Sequence, residues 1–390
     1  MGDASSPPGV VAGKAAMPED SSPTLLPIRI LTHNVRFATD TPNKSEKLWP
    51  DRFPYLSSHF KYHTRPHFAP QSTLVCMQEV LHRQLLDLHS RTFNTSTAPQ
   101  GSSDDNDWTY VGVGRNNGKT KGEYSPIFFR KSAWKCIHFE TVWLNETGEV
   151  GKKGWDADSI RILTCAVLES VLVGNNNNNS NNDLGSLTAA TTSSSSPGRQ
   201  GNQLILAMNT HLDNEGTVSR RESAKLILRV ASRLRSRFNP TFTFLSGDLN
   251  SHPDGDAYEV LNQPGSGFVD TRRLVGSSDD DKPQNNDDGK IYAYGNERTF
   301  TGFPADPAAG GRERIDFVHL GIPTQGGRQG EDHHHHHHRD ESVAPRPGEA
   351  HSYGQIREMV QTYGVLPNRF DDKVWMSDHR GVVVDVLVRF

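Results

Sequence analysis

The sequence predicts a layered α/β (or α+β) fold, in which short strands alternate with helices. Short β-branched runs recur along the chain, and most are apolar on both faces, as sheets covered on both sides require. Between them lies at least one long amphipathic helix: Ala224, Ile227, Ala231, Leu234 and Phe238 step by three and four residues along one face. Three polar tracts that cannot pack fall between these runs (174–203, 276–290 and 323–350). They interrupt the pattern without splitting it, so 26–390 reads as one domain with expanded loops.

Residues 1–25, rich in Ser, Pro, Ala and Gly, read as a disordered tail. The start has neither the basic residues nor the apolar run of a secretory signal. Gly2 and Ser6 match the short myristoylation pattern, which is common enough by chance that an ordinary start is the preferred reading. Order begins at "IRILTHNVRF" (28–37), an alternating β-prone strand. "WPDRFPYLSSHFKYH" (49–63) mixes aromatic and basic residues and is read as a helix on the sheet edge rather than a base-stacking surface. "STLVCMQEV" is the next strand, and a helix, "EVLHRQLLDLHSRT", follows Glu79. "YSPIFFRK", "IRILTCAVLESVLV", "QLILAMNTHL", "FTFLSGDLN", "RIDFVHLG" and "GVVVDVLVRF" supply further strands. The helix over 219–238 is expected to begin with a capping box formed by Ser219 and Glu222. The tract 323–350 carries six consecutive histidines, read as a loop expansion where metal binding is adventitious.

Composition narrows the function. Apolar residues make up 34% of the 390, a low share diluted by the polar tracts, and the formal charge is −4. A protein that coats long duplex nucleic acid usually has a basic excess. Here the ligand is small or short, or a bound cation supplies the positive charge. Cys76, Cys136 and Cys165 are odd in number and far apart, which fits reduced core thiols in an intracellular, cytoplasmic or nuclear setting. No apolar stretch is long enough to span a membrane. A monomer is expected.

Polar residues recur at the ends of the apolar strands: Asn34, Glu79, His211 with Asp213, Asp248 with Asn250, Asp316, and Asp378 with His379. Each alone is most simply a turn former, a helix cap or a core histidine. Together they are harder to dismiss, because unpaired carboxylates and amides are costly to bury. Strand ends on one side of a sheet would gather them into a cleft. Asp, Glu and Asn oxygens without a thiolate are a hard ligand set suited to Mg²⁺ or Mn²⁺. Two histidines could face a phosphate, and a further Asp could orient water. That combination describes metal-assisted in-line hydrolysis of a phosphoester.

The motifs "THNVRF", "MQEV", "GEYSPIFFRK", "NTHLDN", "SGDLNS", "ERIDFV" and "MSDH", in this order, resemble the endonuclease/exonuclease/phosphatase superfamily. "GRNNGKTKGEYSPIFFRK", "KGWDADSIRI" and "RTFTGF" resemble its metal-dependent hydrolase branch. The resemblance implies a DNase I-like four-layer sandwich, two packed mixed β-sheets flanked by helices. It implies Glu79 as the main metal ligand, helped by Asn34 and Asp378, with Mg²⁺ or Mn²⁺ as cofactor. His211 would contact the scissile phosphate and pair with Glu123, and Asp248 would orient or deprotonate the attacking water. Asn250 would hold the phosphate or the second face of the site, and Asp316 would orient His379 to stabilise charge on the phosphoryl oxygens. Arg161 would bind phosphate or else form a surface salt bridge, Arg115 would more weakly bind phosphate, and Tyr124 would line the cleft or simply pack. Arg36 stands where some relatives place a second carboxylate, which favours one metal over two. The implied activity is a phosphodiesterase or nuclease, such as a 3′–5′ RNA exonuclease on a short single-stranded end. The alternative is a phosphomonoesterase acting on a phosphorylated lipid, inositol or sugar. A catalytically silent scaffold is disfavoured by the complete motif set.

Overall fold

The computed structural model describes residues 24–66, 68–95, 107–172, 203–276, 291–306, 313–322 and 347–390, with side chains from 353 onward in the last stretch. The Gly2 pattern, the six histidines and nearly all of the three polar tracts lie outside the described residues. The last four residues assigned to the 323–350 tract instead open a helix at Pro347.

The first half of the chain contributes β1 (Leu25–Asn34), α1 (Trp49–Thr64), β2 (Leu74–Gln78) and α2 (His82–Asp87). Strands β3 (Trp108–Val111), β4 (Ile127–Arg130), β5 (Trp134–Trp143) and β6 (Ile162–Ser170) follow. Next come β7 (Leu204–His211), α3 (Thr217–Phe238), β8 (Phe242–Asp248), α4 (Asp256–Asn262) and β9 (Phe268–Asp270). The chain ends with β10 (Tyr294–Gly295), β11 (Asp316–Gly321), α5 (Pro347–Met359), β12 (Val360–Val365) and β13 (Val382–Arg389). One mixed sheet has the order β10-β12-β13-β1-β2-β4-β3, the other β5-β6-β7-β8-β11-β9.

Side chains from both sheets, among them Ile28, Ile30, Cys76, Phe129, Trp134, Phe244 and Val318, form the core between them. Trp49, Phe53, Leu56 and Phe60 lay α1 on the outer face of the seven-stranded sheet. Ala224, Ile227, Val230, Ala231 and Leu234 lay α3 on the outer face of the other. This is the expected four-layer sandwich. Strands β7 and β8 are buried along their whole length, as their unbroken apolar pattern requires. Among the described residues, no helix is long and apolar enough to cross a membrane.

The capping box at Ser219 and Glu222 is not formed: α3 starts earlier, at Thr217, with no side-chain cap from its own N-cap residue, Gly216. Asp156, from the loop before β6, accepts hydrogen bonds from the amides of Ser219 (2.6 Å) and Val218 (3.2 Å). A carboxylate at this position satisfies the free amides and complements the helix dipole. Gly216 is needed because a Cβ there would lie 2.6 Å from Asp156 Oδ1.

The two sheets are also joined by polar contacts. Gln78 Nε2 donates to Asn209 Oδ1 (2.7 Å), and Asn209 Nδ2 donates to the carbonyls of Met77 (2.8 Å) and Pro126 (3.0 Å). This lock lies one residue from Glu79 on β2 and two from His211 on β7.

Candidate active site

Strand pairing brings the polar strand ends to one rim. Asn34 ends β1 beside Gln78 of the parallel β2, which places Glu79 next to it. His211 and Asp248 are register partners at the ends of the parallel β7 and β8. Asp316 opens β11 opposite the same Asp248. Antiparallel pairing of β13 with β1 carries Asp378 and His379 over the end of β1. His33 Nε2 lies 3.0 Å from the His379 carbonyl, and Ser377 Oγ donates to the Asn34 carbonyl (2.6 Å).

A continuous set of contacts links these side chains. Asn34 Nδ2 donates to Glu79 Oε1 (2.9 Å) and to Asp248 Oδ2 (3.0 Å). Asp248 Oδ2 lies 3.6 Å from the Nε2 of both His379 and His211. His379 Nδ1 is 2.8 Å from Asp316 Oδ2. Asn250 donates its backbone amide to Asp248 Oδ1 (2.9 Å) and its side-chain nitrogen to the Leu212 carbonyl (3.0 Å). That second bond fixes the Asn250 amide, so Nδ2 also faces His211 Nε2 at 3.0 Å. His211 Nε2 must then be an acceptor, which puts the ring proton on Nδ1, 3.9 Å from Glu123 Oε2. Arg36 (φ 59°), Glu79 (φ 60°) and Asn250 (φ 46°) all adopt the left-handed region. Non-glycine residues held there store strain that the surrounding contacts must support, and such residues cluster at functional sites.

The electrostatics separate the roles. Burial pushes Asp248 up to about 7, with the neighbouring Asp316 carboxylate adding to the effect. Burial alone would lower His379, but Asp316 and Asp248 outweigh it and hold the imidazolium well above its usual range. Burial drives His211 well below its usual range, and Arg161 and Arg115 reinforce this, so it is neutral. Burial would raise Glu79, but hydrogen bonds from Asn34 and the Phe37 amide, with the charges of His379 and Arg36, keep it low.

The remaining expected residues divide. Glu123 is bound by Arg115 Nη1 (2.8 Å) and reaches the cluster through His211. Asp378 lies 4.0 Å from the Arg36 guanidinium. Arg161 pairs with buried Asp213 (3.3 Å) and donates to Asn214 Oδ1 (2.8 Å), so its hydrogen bonds hold the loop after His211. Tyr124 is buried beside the cluster; its hydroxyl bonds the Lys119 carbonyl (2.9 Å) and lies 3.0 Å from His82. Asn34, expected to offer a metal an oxygen, engages that oxygen with the Arg36 amide (2.9 Å) and turns its NH₂ toward the acids.

Two groups of donors could hold a cation. Asp248, Asp316 and His379 each offer an atom within 4.8 Å of the others. In the same group His379 has a carboxylate near each ring nitrogen, so without an ion it forms an acid–imidazolium–acid chain. Glu79 and Asp378 both lie beside the Arg36 guanidinium, and as hard carboxylates without a thiolate they are of the type that fits Mg²⁺ or Mn²⁺.

Arg52 was not anticipated. Fully buried, it donates to the carbonyls of Val35 (3.1 Å), Met376 (2.7 Å), Arg36 (3.2 Å) and Lys47 (3.0 Å). It therefore ties the segment after Asn34 to the segment before Asp378. The signal was present, since Trp49, Arg52, Phe53, Leu56 and Phe60 share one helical stripe.

No protein-family model and no curated protein matches the chain. Solved structures do match. An endonuclease/exonuclease/phosphatase family protein from Bacteroides thetaiotaomicron is 21% identical, with 94% of this chain and 97% of that one covered at a TM-score of 0.62. A mannosyl-6-phosphatase from the same organism is 21% identical, with 92% and 99% covered at 0.61. D. rerio TDP2, solved with a single-strand DNA product, is 15% identical, with 92% and 98% covered at 0.51. At these identities the likeness establishes the fold.

Proposed function

We propose, from the endonuclease/exonuclease/phosphatase fold that the chain shares with these structures, that the protein is a phosphoesterase dependent on Mg²⁺ or Mn²⁺. The leading reading is hydrolysis of a phosphodiester, such as a short single-stranded nucleic acid end. The observation that carries it is the unbroken chain Asp316–His379–Asp248–Asn34–Glu79 at one rim.

Asp248, held by Asn34 and by the Asn250 amide, would orient water and take its proton; a carboxylate raised to about 7 is matched to that work. His379, kept cationic by Asp316, would stabilise charge growing on the phosphoryl oxygens. Neutral His211 would fix the Asn250 amide, and Arg115 would add positive charge near the substrate. A divalent ion at Glu79 and Asp378 would supply further positive charge to a phosphoryl oxygen.

A second reading, hydrolysis of a phosphomonoester of a sugar, inositol or lipid, is favoured by the mannosyl-6-phosphatase among the structures that share the fold. The Arg115 guanidinium, beside Glu123 at the His211 end of the cluster, would add positive charge for a dianionic terminal phosphate. An assay with Mg²⁺ or Mn²⁺ on single-stranded RNA, duplex DNA, a sugar phosphate and an inositol phosphate separates the two readings. Asp248→Asn and His379→Ala are each expected to lower kcat by about 10²–10⁴-fold with the fold intact. Wild-type turnover in both variants would sink the assigned roles.

A further inference from the structure

Arg36 is held more firmly than a surface arginine requires. Its backbone is in the left-handed region (φ 59°), its amide donates to Asn34 Oδ1 (2.9 Å), and its carbonyl accepts from Arg52 Nη2 (3.2 Å) and Gln84 Nε2 (3.0 Å). The guanidinium stacks over the Phe37 ring at 4.2 Å. Nε and Nη2 donate to the two oxygens of Glu46 (3.1 and 3.4 Å), whose side chain is fully buried and also accepts from Asn43. So oriented, the guanidinium lies 3.9 Å from Glu79 Oε2 and 4.0 Å from Asp378 Oδ2.

These two distances are too long for hydrogen bonds but well within range of a strong Coulomb interaction. Glu79 and Asp378 therefore feel a fixed positive charge and keep lone pairs for another cation. A second divalent ion held by the same two carboxylates would be repelled by a guanidinium that already lies about 4 Å from each.

We infer that Arg36 is the built-in second cation of this centre: it partly neutralises Glu79 and Asp378, limits the site to one divalent ion and weakens the hold on that ion. The inference rests on the proposed reading of the rim as a divalent-cation phosphoesterase centre. Arg36 acts here through the carboxylates, as a positioning residue rather than a catalytic one.

Mn²⁺ titration of the full chain, followed by the electron paramagnetic resonance of free Mn²⁺, tests this without an activity assay. Glu79→Gln identifies the relevant ion, and subtracting its titration removes binding elsewhere, including at the six histidines. The wild type is expected to hold one Glu79-dependent Mn²⁺. Arg36→Gln should hold it about tenfold tighter or more, and Arg36→Lys should restore wild-type affinity. If Arg36→Gln does not fold, Arg36→Gln combined with Glu46→Gln removes the buried pair together and should still bind more tightly than the wild type. Unchanged or weaker binding in a folded Arg36→Gln variant, or two Glu79-dependent ions in the wild type, overturns the role of Arg36 and leaves the phosphoesterase reading standing. Absence of any Glu79-dependent Mn²⁺ in the wild type overturns both.

Discussion

Asp213 and Asp248 are both buried carboxylates at the same end of one sheet, yet their surroundings drive them in opposite directions. Burial would raise each. Asp213 accepts hydrogen bonds from the amides of Gly216, Asp158 and Ser159 and pairs with Arg161, and these hold it down at about 2. Asp248 has Asp316 beside it and fewer donors, and stands at about 7. The first residue is thus a loop organiser and the second a candidate base, a distinction that residue type alone cannot make. Because the folded value of Asp213 lies below the ordinary carboxylate value of about 3.9, the stability it contributes is fully present above that value. It is lost as the pH falls toward about 2. Asp213→Asn is therefore expected to cost about 2 kcal/mol at neutral pH, the usual size for hydrogen bonds to a charged group. The gap to wild type in urea unfolding should hold from pH 7 to 5 and narrow below about 4. A gap that stays constant down to pH 3 would show that the charge of Asp213 is not what stabilises the loop.

At the scale of elements, α3 depends on a residue far away in sequence. Asp156 satisfies two amides in the first turn of α3, so Asp156→Ala should lower stability by about 1 kcal/mol, a typical value for a lost cap. Urea unfolding of that variant at neutral pH measures it; an unchanged midpoint would mean that water replaces the carboxylate. The box expected at Ser219 failed because local spacing cannot register a partner brought in by tertiary structure. The same cause limited the strand assignments. β7, β8 and β13 announce themselves as buried apolar runs. β5, whose exposure alternates along "WKCIHFETVW" at the edge of its sheet, and the short β3 and β12 do not. The strand-end residues Asn34, Glu79, His211, Asp248, Asp316 and His379 were legible because polar groups stand out after apolar strands. Arg52 escaped notice because a charge on an apolar stripe is ordinarily a long side chain reaching water. In this fold its donors face four backbone carbonyls instead.

At the scale of the whole molecule, the candidate site belongs to neither sheet alone. Asn34, Glu79, Asp378 and His379 come from the ends of the seven-stranded sheet, and His211, Asp248, Asn250 and Asp316 from the six-stranded one. Apolar packing between the sheets is strong but non-directional, and would tolerate small sliding. Behind the rim's own contacts, a directional contact across the gap is the buried amide pair Gln78–Asn209, with Asn209 also bonded to the carbonyls of Met77 and Pro126. Asn209→Leu keeps a similar volume and leaves those partners unsatisfied, so it should cost about 3 kcal/mol in urea unfolding. If the lock also aligns the rim, the same variant should lower kcat by about tenfold or more with little change in KM, since misplacement of about 1 Å is enough for such a loss. Pairing it with Gln78→Leu removes both amides and should recover part of the stability but not the turnover, because apolar replacements restore burial without restoring direction. Turnover that recovers along with stability would mean that packing alone sets the register of the two sheets, and that the amide pair serves only to satisfy itself.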